Sequence, residues 1–163
     1  DFLSNPIYFF LILIIVPLWQ HFHFYISHRL THWKPLYKWV HYLHHKNINP
    51  GPWSGLSMHP IEHIIYLSNV LIFFVIPCHP LHFIYLMIHS TLGAQKGHVG
   101  YERLIVNKKG KSTIPAGNYF HYLHHKYFEC NYGDLTSPLD TWFGTFHDGT
   151  KKAHKKIFAS RAE

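Results

Sequence analysis

Three stretches of the chain are almost continuously apolar, and polar residues are crowded between and beyond them. The first, FLSNPIYFFLILIIVPLW at 2–19, is interrupted only by Ser4, Asn5 and two prolines. As a helix, eighteen residues would measure about 27 Å, close to the hydrocarbon thickness of a bilayer. It runs directly into QHFHFYISHRLTHW, where the first histidines and then the first basic residues occur. A mixed aromatic and basic segment at 33–46 predicts an amphipathic helix suited to a membrane interface. NINPGPWSG, rich in turn formers, predicts a loop. The second apolar stretch (61–76) and the third (80–95) flank the uncharged turn PCHP and predict a hairpin of two short spans. Beyond it VNKKGKSTIPAGN predicts a loop, FHYLHHKYF a helix, and the remainder an irregular cap with a solvated basic tail.

The distribution of charge gives this pattern an orientation. Of the fifteen Lys and Arg, four lie between Arg29 and Lys46 and eleven from Lys96 onward, with none in 1–28 or 47–95. Basic residues excluded from apolar zones and gathered beside them follow the positive-inside pattern. The ends of the three spans at Arg29, near His59 and at Lys96 are therefore expected in the cytoplasm, and PCHP outside. The net charge of +7 is thus explained by topology, and a nucleic-acid partner is not expected. The expected fold is all-α: an integral membrane helical bundle, one domain over 1–163, with a cytoplasmic histidine-rich helical cap.

Composition then sharpens the question. The chain holds eighteen histidines against eight Asp and Glu, and 18% of its residues are aromatic. Cys78 and Cys130 lack CxxC spacing and fall on opposite sides of the expected membrane, so no disulfide framework is implied. The hexapeptide HYLHHK occurs at 41–46 and again at 121–126, yet nothing flanking it repeats. With His28-x3-His32 it makes three boxes: His28 and His32; His41, His44 and His45; His121, His124 and His125. On a helix, i and i+4 share a face with i+3 beside them, so each box aims imidazoles in one direction. Adjacent histidines point about 100° apart and suit two different metal ions. About four imidazoles per ion would leave open coordination positions, as catalysis requires. The spacing alone does not choose among iron, zinc, copper and nickel.

Other histidines are less decided. His98 stands where the third span returns, a place that suits a further ligand. His59, Glu62 and His63 in HPIEH read either as ligands or partners orienting a ligand imidazole, or as an interfacial polar cluster. His89 is expected to pack on or bond to a neighbouring helix. His21 and His23 face either the bundle or the headgroups. His147 and His154 are placed with the solvated tail.

SHRLTH, HYLHHKNINP, HPIEH, GHVGYE and FHYLHHKYFECNYGDLTSPLDTWFGTFHDG together resemble, in order and from about Phe24 to Gly149, the fatty acid hydroxylase superfamily and especially its sterol desaturase branch. The resemblance implies a membrane enzyme with a histidine-ligated non-haem di-iron centre, zinc being a substitute in purified protein. Such an enzyme uses O2 to hydroxylate or desaturate a sterol or fatty acyl lipid. It implies that the eight box histidines act through the metals and that His98 is a ninth ligand. It further implies an electron donor such as a b-type cytochrome, ferredoxin or reductase. The expected location is the bacterial inner membrane or endoplasmic reticulum, with the site facing the cytoplasm. Family members carry about four spans, so a first span is expected to be missing, in keeping with the start at Asp1. The competing readings are a metal-binding or metal-transporting membrane protein and a bis-histidine haem electron carrier. A zinc metalloprotease is disfavoured because no HExxH occurs.

Overall fold

The computed structural model describes residues 4–107, 113–115 and 117–159. Its first helix, α1 (Pro6–Thr31), is much longer than the apolar run that predicts it. Asn5 starts it by accepting a hydrogen bond from the Tyr8 amide at 3.0 Å, with Pro6 in the first turn where its missing N–H costs nothing. Pro17 does not end it, and nothing else breaks it before the segment leading to Pro35. At 26 residues, or about 39 Å, α1 is long and apolar enough to cross a membrane and still carry His28 on its final turns. Residues 2 and 3 of the expected span lie outside the described residues.

The predicted amphipathic helix is present in pieces: α2 (Lys34–Leu36), a π-helical turn (Tyr37–His41) and α3 (Tyr42–His45). A 3-10 turn at Pro52–Leu56 follows. The second apolar stretch is α4 (Pro60–Leu67), which tightens into a 3-10 helix over Ser68–Phe74. Because 3-10 helix rises about 2.0 Å per residue, these fifteen residues extend about 26 Å. The third stretch is α5 (Pro80–Lys96), of similar length at seventeen residues. The predicted loop after it contains a short antiparallel hairpin, β1 (Arg103–Ile105) with β2 (Thr113–Pro115), in the register Arg103 opposite Pro115. Its β-branched Ile105 favours that extension, and residues 108–112 and 116 are outside the described set. Helices α6 (Asn118–Tyr127), α7 (Leu139–Trp142) and α8 (Lys151–Phe158) complete the chain.

α1 packs against α5, α4 and the 3-10 continuation of α4. The apolar core between them is small: Ile12, Val16 and Leu86, with Trp19, Val70 and Phe73 at its margin. Beside it lies a buried polar network. Asn69 donates to Gln20 Oε1 and to Ser90 Oγ, while the Tyr66 hydroxyl donates to the Ser90 carbonyl at 2.6 Å. Outward, α1 and α5 present Ile7, Ile14, Leu18, Leu81 and Leu92, all about half exposed or more. An apolar exterior around a hydrogen-bonded interior is the arrangement a lipid solvent favours.

The loop after α3 is drawn onto α5 at Gly55. A Cβ there would lie 2.8 Å from the Ala94 carbonyl carbon, whereas nothing lies within 4 Å of the same position on Gly51. Gly55→Ala should therefore destabilise the protein by about 1–3 kcal/mol through forced displacement of the loop. Gly51→Ala should be close to neutral, both being measured by thermal melting in detergent.

Candidate metal centre

Three helical segments and one loop converge below the end of α1. His28 lies in the last turns of α1 and His32 caps it. His41 closes the π-helical turn, His44 and His45 belong to α3, and His121, His124 and His125 to α6. His98 follows α5 directly. Their nitrogens form two groups, within each of which every ligand atom lies within 4.8 Å of the others. One group is His28, His32, His41, His45 and His124; the other is His44, His98, His121 and His125.

The division exchanges one residue between the two copies of HYLHHK. From each copy the i and i+4 rings, His41 with His45 and His121 with His125, enter the same group. The i+3 ring, about 100° away from i+4 around the helix, crosses over: His44 joins His121 and His125, while His124 joins His41 and His45.

Within the first group, Nε2 atoms approach at 2.9 Å (His45–His41), 3.0 Å (His41–His32), 3.1 Å (His124–His45) and 3.2 Å (His32–His124). In the second, His121–His98, His125–His121 and His98–His125 stand at 3.0, 3.1 and 3.3 Å. Metal–imidazole bonds of about 2.0–2.1 Å place neighbouring ligand nitrogens about 3 Å apart, so both groups fit a bound cation.

The opposite ring nitrogens show which tautomer is present. Nδ1–H of His28 donates to the Tyr132 carbonyl, that of His98 to Ala94 and that of His124 to Cys130, each at 2.7 Å. His41 donates to Glu62 Oε1 at 2.7 Å, and His44 more loosely to the Ser57 carbonyl at 3.3 Å. A proton held at Nδ1 leaves the Nε2 lone pair free and pointing inward, the form that ligates a metal. Burial keeps the rings neutral: it pulls His98 down to about 4, His44 to about 3, and His32 and His125 to about 2. His41, His45, His121 and His124 are held well below the usual range by the same burial and by their neighbouring imidazoles.

Of the HPIEH residues, the structure brings only Glu62 to the groups, through His41. His59 caps α4 by accepting from the Ile61 amide, and His63 is half-buried on the same helix, outside both groups. His147 departs from the expected solvated tail. It is 1% exposed, stacked on Tyr127, and its amide donates to Asn131 Oδ1 at 2.7 Å.

The segment from Cys130 to His147 frames the centre in a way residue spacing did not reveal. The Asp140 carboxylate accepts the Tyr132 and Gly133 amides at 2.8 and 2.7 Å and the Thr145 hydroxyl at 2.6 Å. It thereby fixes the peptide whose carbonyl orients His28. Asn131, in a left-handed conformation with φ 54°, donates to the Phe120 and His147 carbonyls and holds the turn that presents Cys130 O to His124. The available signal was one acidic residue inside an otherwise uncharged run, SPLDTWFGTF.

Two cavities adjoin the groups. A small one of about 30 Å³, the volume of a single small molecule, is bordered by His28 and His41 of one group and His44, His98 and His121 of the other. A larger one of about 400 Å³ reaches His98 and His121 from the side of α1 and α5, with Phe24, Leu92, Phe120 and Leu135 among its walls.

The fatty acid hydroxylase family model matches residues 13–145. The chain belongs to the fatty acid hydroxylase family. A Delta(7)-sterol 5(6)-desaturase of Gibberella zeae is 31% identical over 147 residues, covering 90% of this chain and 38% of the relative. A Delta(7)-sterol-C5(6)-desaturase of Nicotiana tabacum is 31% identical over 162 residues, 95% of this chain and 55% of the relative. Methylsterol monooxygenase 1 of Gallus gallus is 30% identical over 133 residues, 81% of this chain and 43% of the relative. The chain thus spans about two fifths to just over half the length of these curated relatives. No solved structure matches it.

Two outcomes follow from the site in this family member. Glu62→Ala, which frees the His41 ring, should weaken metal binding about 10–100-fold in a titration against a chelator. Stability should also fall on acidification. Below pH 6.5 the unfolded chain protonates histidines that stay neutral in the fold, so each of His44, His98 and His125 removes about 1.4 kcal/mol per pH unit until its lowered pKa is reached. The melting temperature should drop steadily from pH 6.5 to 5 and be flat between 7 and 8.

Proposed function

We propose that this chain is the catalytic region of an O2-dependent lipid oxidoreductase that hydroxylates or desaturates a sterol or fatty acyl substrate. The observation that carries this reading is the pair of buried imidazole groups opening onto an apolar-walled cavity. The relatives, named as sterol desaturases and a methylsterol monooxygenase, support it. The first group would hold one metal ion through His28, His32, His41, His45 and His124. The second would hold another through His44, His98, His121 and His125. Iron bound there would supply O2 reduction and the oxidation of an unactivated C–H bond.

The chain's own residues do the rest. Nδ1–H bonds to Tyr132, Glu62, Ser57, Ala94 and Cys130 keep the Nε2 lone pairs aimed inward. Asp140 fixes one of those acceptors. Phe24, Phe120 and Leu135 line the larger cavity beside His98 and His121, which favours a hydrocarbon there and disfavours water. Ile88 and Leu92 line the same cavity and are 51% and 59% exposed, so it communicates with the apolar outer face of α5 and a lipid can enter from the bilayer.

In this reading α1, α4 with its 3-10 extension, and α5 are the membrane spans of a single domain, and the histidine groups lie at the cytoplasmic end. That end is surrounded by Arg29, Lys34, Lys38, Lys46 and Lys126. Electrons then come from a separate donor, a b-type cytochrome, ferredoxin or reductase, docking on this basic face. The membrane is the endoplasmic reticulum or a bacterial inner membrane.

Metal content of the purified protein tests the core of the reading. About two ions per chain are expected, one per group. His124→Ala and His125→Ala are adjacent changes but remove ligands from different groups, so each should lose about one ion, and the double variant most of both. Incubation of iron-loaded protein with a sterol or acyl lipid, O2 and reductant should yield an oxidised lipid. Tight metal binding with no O2-dependent product would favour a metal-binding or metal-transporting protein, and no metal at all would overturn both.

A further inference from the structure

Two histidines in the spans have no role in the metal groups. His21, on α1, and His89, on α5, are neighbours with ring centroids 5.7 Å apart, and both line the larger cavity. Other histidines of these helices find partners: His23 meets Ser68 Oγ at 3.0 Å, His82 the Phe9 carbonyl at 3.0 Å, and His79 accepts from the Leu81 amide. Among the described residues neither His21 nor His89 has a hydrogen-bond partner, and the Nδ1 of His89 is fully buried. Several other polar groups of the cavity are already engaged. Lys96 pairs with Asp134 at 3.0 Å, and the Tyr66 hydroxyl bonds the Ser90 carbonyl.

His21 and His89 are half-buried, and an imidazole partly removed from water without a partner gives up hydrogen-bond energy; ionisable side chains within membrane spans mark functional sites. We infer that His21 and His89 together form the subsite for the hydroxyl group of a lipid alcohol, which rests on the reading of this cavity as the lipid-binding site. A neutral imidazole offers one donor and one acceptor, and a hydroxyl does the same. Two neighbouring rings on the cavity lining therefore match a single hydroxyl, one accepting its proton and the other donating to its oxygen. A hydrocarbon at that point would leave both rings unpaired, so the pair selects for the alcohol. His21 and His89 lie seven residues before His28 and nine before His98 along their chains. The subsite is thus set apart from the metal ligands, and changing it leaves them in place.

The test is a binding measurement that needs no turnover. Metal-loaded protein in nanodiscs is incubated with radiolabelled cholesterol, and displacement by unlabelled cholesterol is compared with displacement by its 3-deoxy analogue, then 1-hexadecanol with hexadecane. Alcohols should compete about tenfold better than the matched hydrocarbons. His21→Phe and His89→Phe, which keep a planar ring, should reduce that ratio to about twofold or less at unchanged metal content. His89→Asn, which restores a donor and an acceptor, should recover part of it. Equal competition by alcohol and hydrocarbon in the unmodified protein, failure of either alcohol to bind, or a preference that survives both Phe variants would overturn the inference. Metal bound at both groups with O2-dependent product but no alcohol preference would sink this subsite alone. An alcohol preference without any oxidised product would sink the oxidase reading and leave the subsite standing.

Discussion

Imidazole lone pairs that face one another at about 3 Å repel unless a cation lies between them, and this protein assembles two such convergences. Each is buried, and each is enforced from behind by protons held on Nδ1 against carbonyls and one carboxylate. The cost of gathering nine neutral rings away from water is large. The surrounding structure is organised around meeting it. α1 runs past its apolar stretch to deliver His28, the π-helical turn sets His41, and the turn through Cys130 and Asn131 supplies backbone acceptors where no helix could. A cation in each group would convert that repulsion into attraction.

The composition of the interior shows how far this goes. Among the fully buried side chains of the described residues, Leu86 and Cys130 are the apolar ones, while His41, His82, His124, His125, His147, Asn69, Asn131, Asp140 and Ser90 are polar. A water-soluble domain of this size would be held by a broad aliphatic core. Here aliphatic side chains on α1 and α5 point outward instead, as expected where the solvent is itself apolar and helix association relies on packing and internal hydrogen bonds. The Gln20, Asn69, Ser90 and Tyr66 network joins the helices at their middle, and the imidazole groups join them at one end.

Much of this was legible in the chain. The boxes, their i, i+3, i+4 spacing and the 100° separation of adjacent histidines carried enough information to anticipate two groups sharing both copies of HYLHHK, because helix geometry converts spacing directly into direction. The length of α1 was not, since hydropathy marks where a helix stops being apolar and not where it stops being helical. Nor were His147 and Asp140, which lie in a segment without periodicity where position depends on turns and backbone acceptors. His59, Glu62 and His63 were equivalent as letters. Only Glu62 sits one turn along from the cap on the face toward His41, a distinction that depends on where α4 begins.

The exchange of His44 and His124 between the two groups bears on how the molecule comes together. Had each copy of HYLHHK filled its own site, either site could form as soon as its helix did. Instead each group needs residues from both copies, which are eighty positions apart, and from α1 or the end of α5 as well. Neither group can be completed by a local segment, so the free energy of binding a metal there would be available only to the fully assembled fold. The short helices α3 and α6, four and ten residues long, are too brief to be stable alone. Interlocking their imidazoles means that a metal ion bound in either group would fix the two helices against each other. One repeated hexapeptide therefore ties both imidazole groups to each other and to the assembled fold.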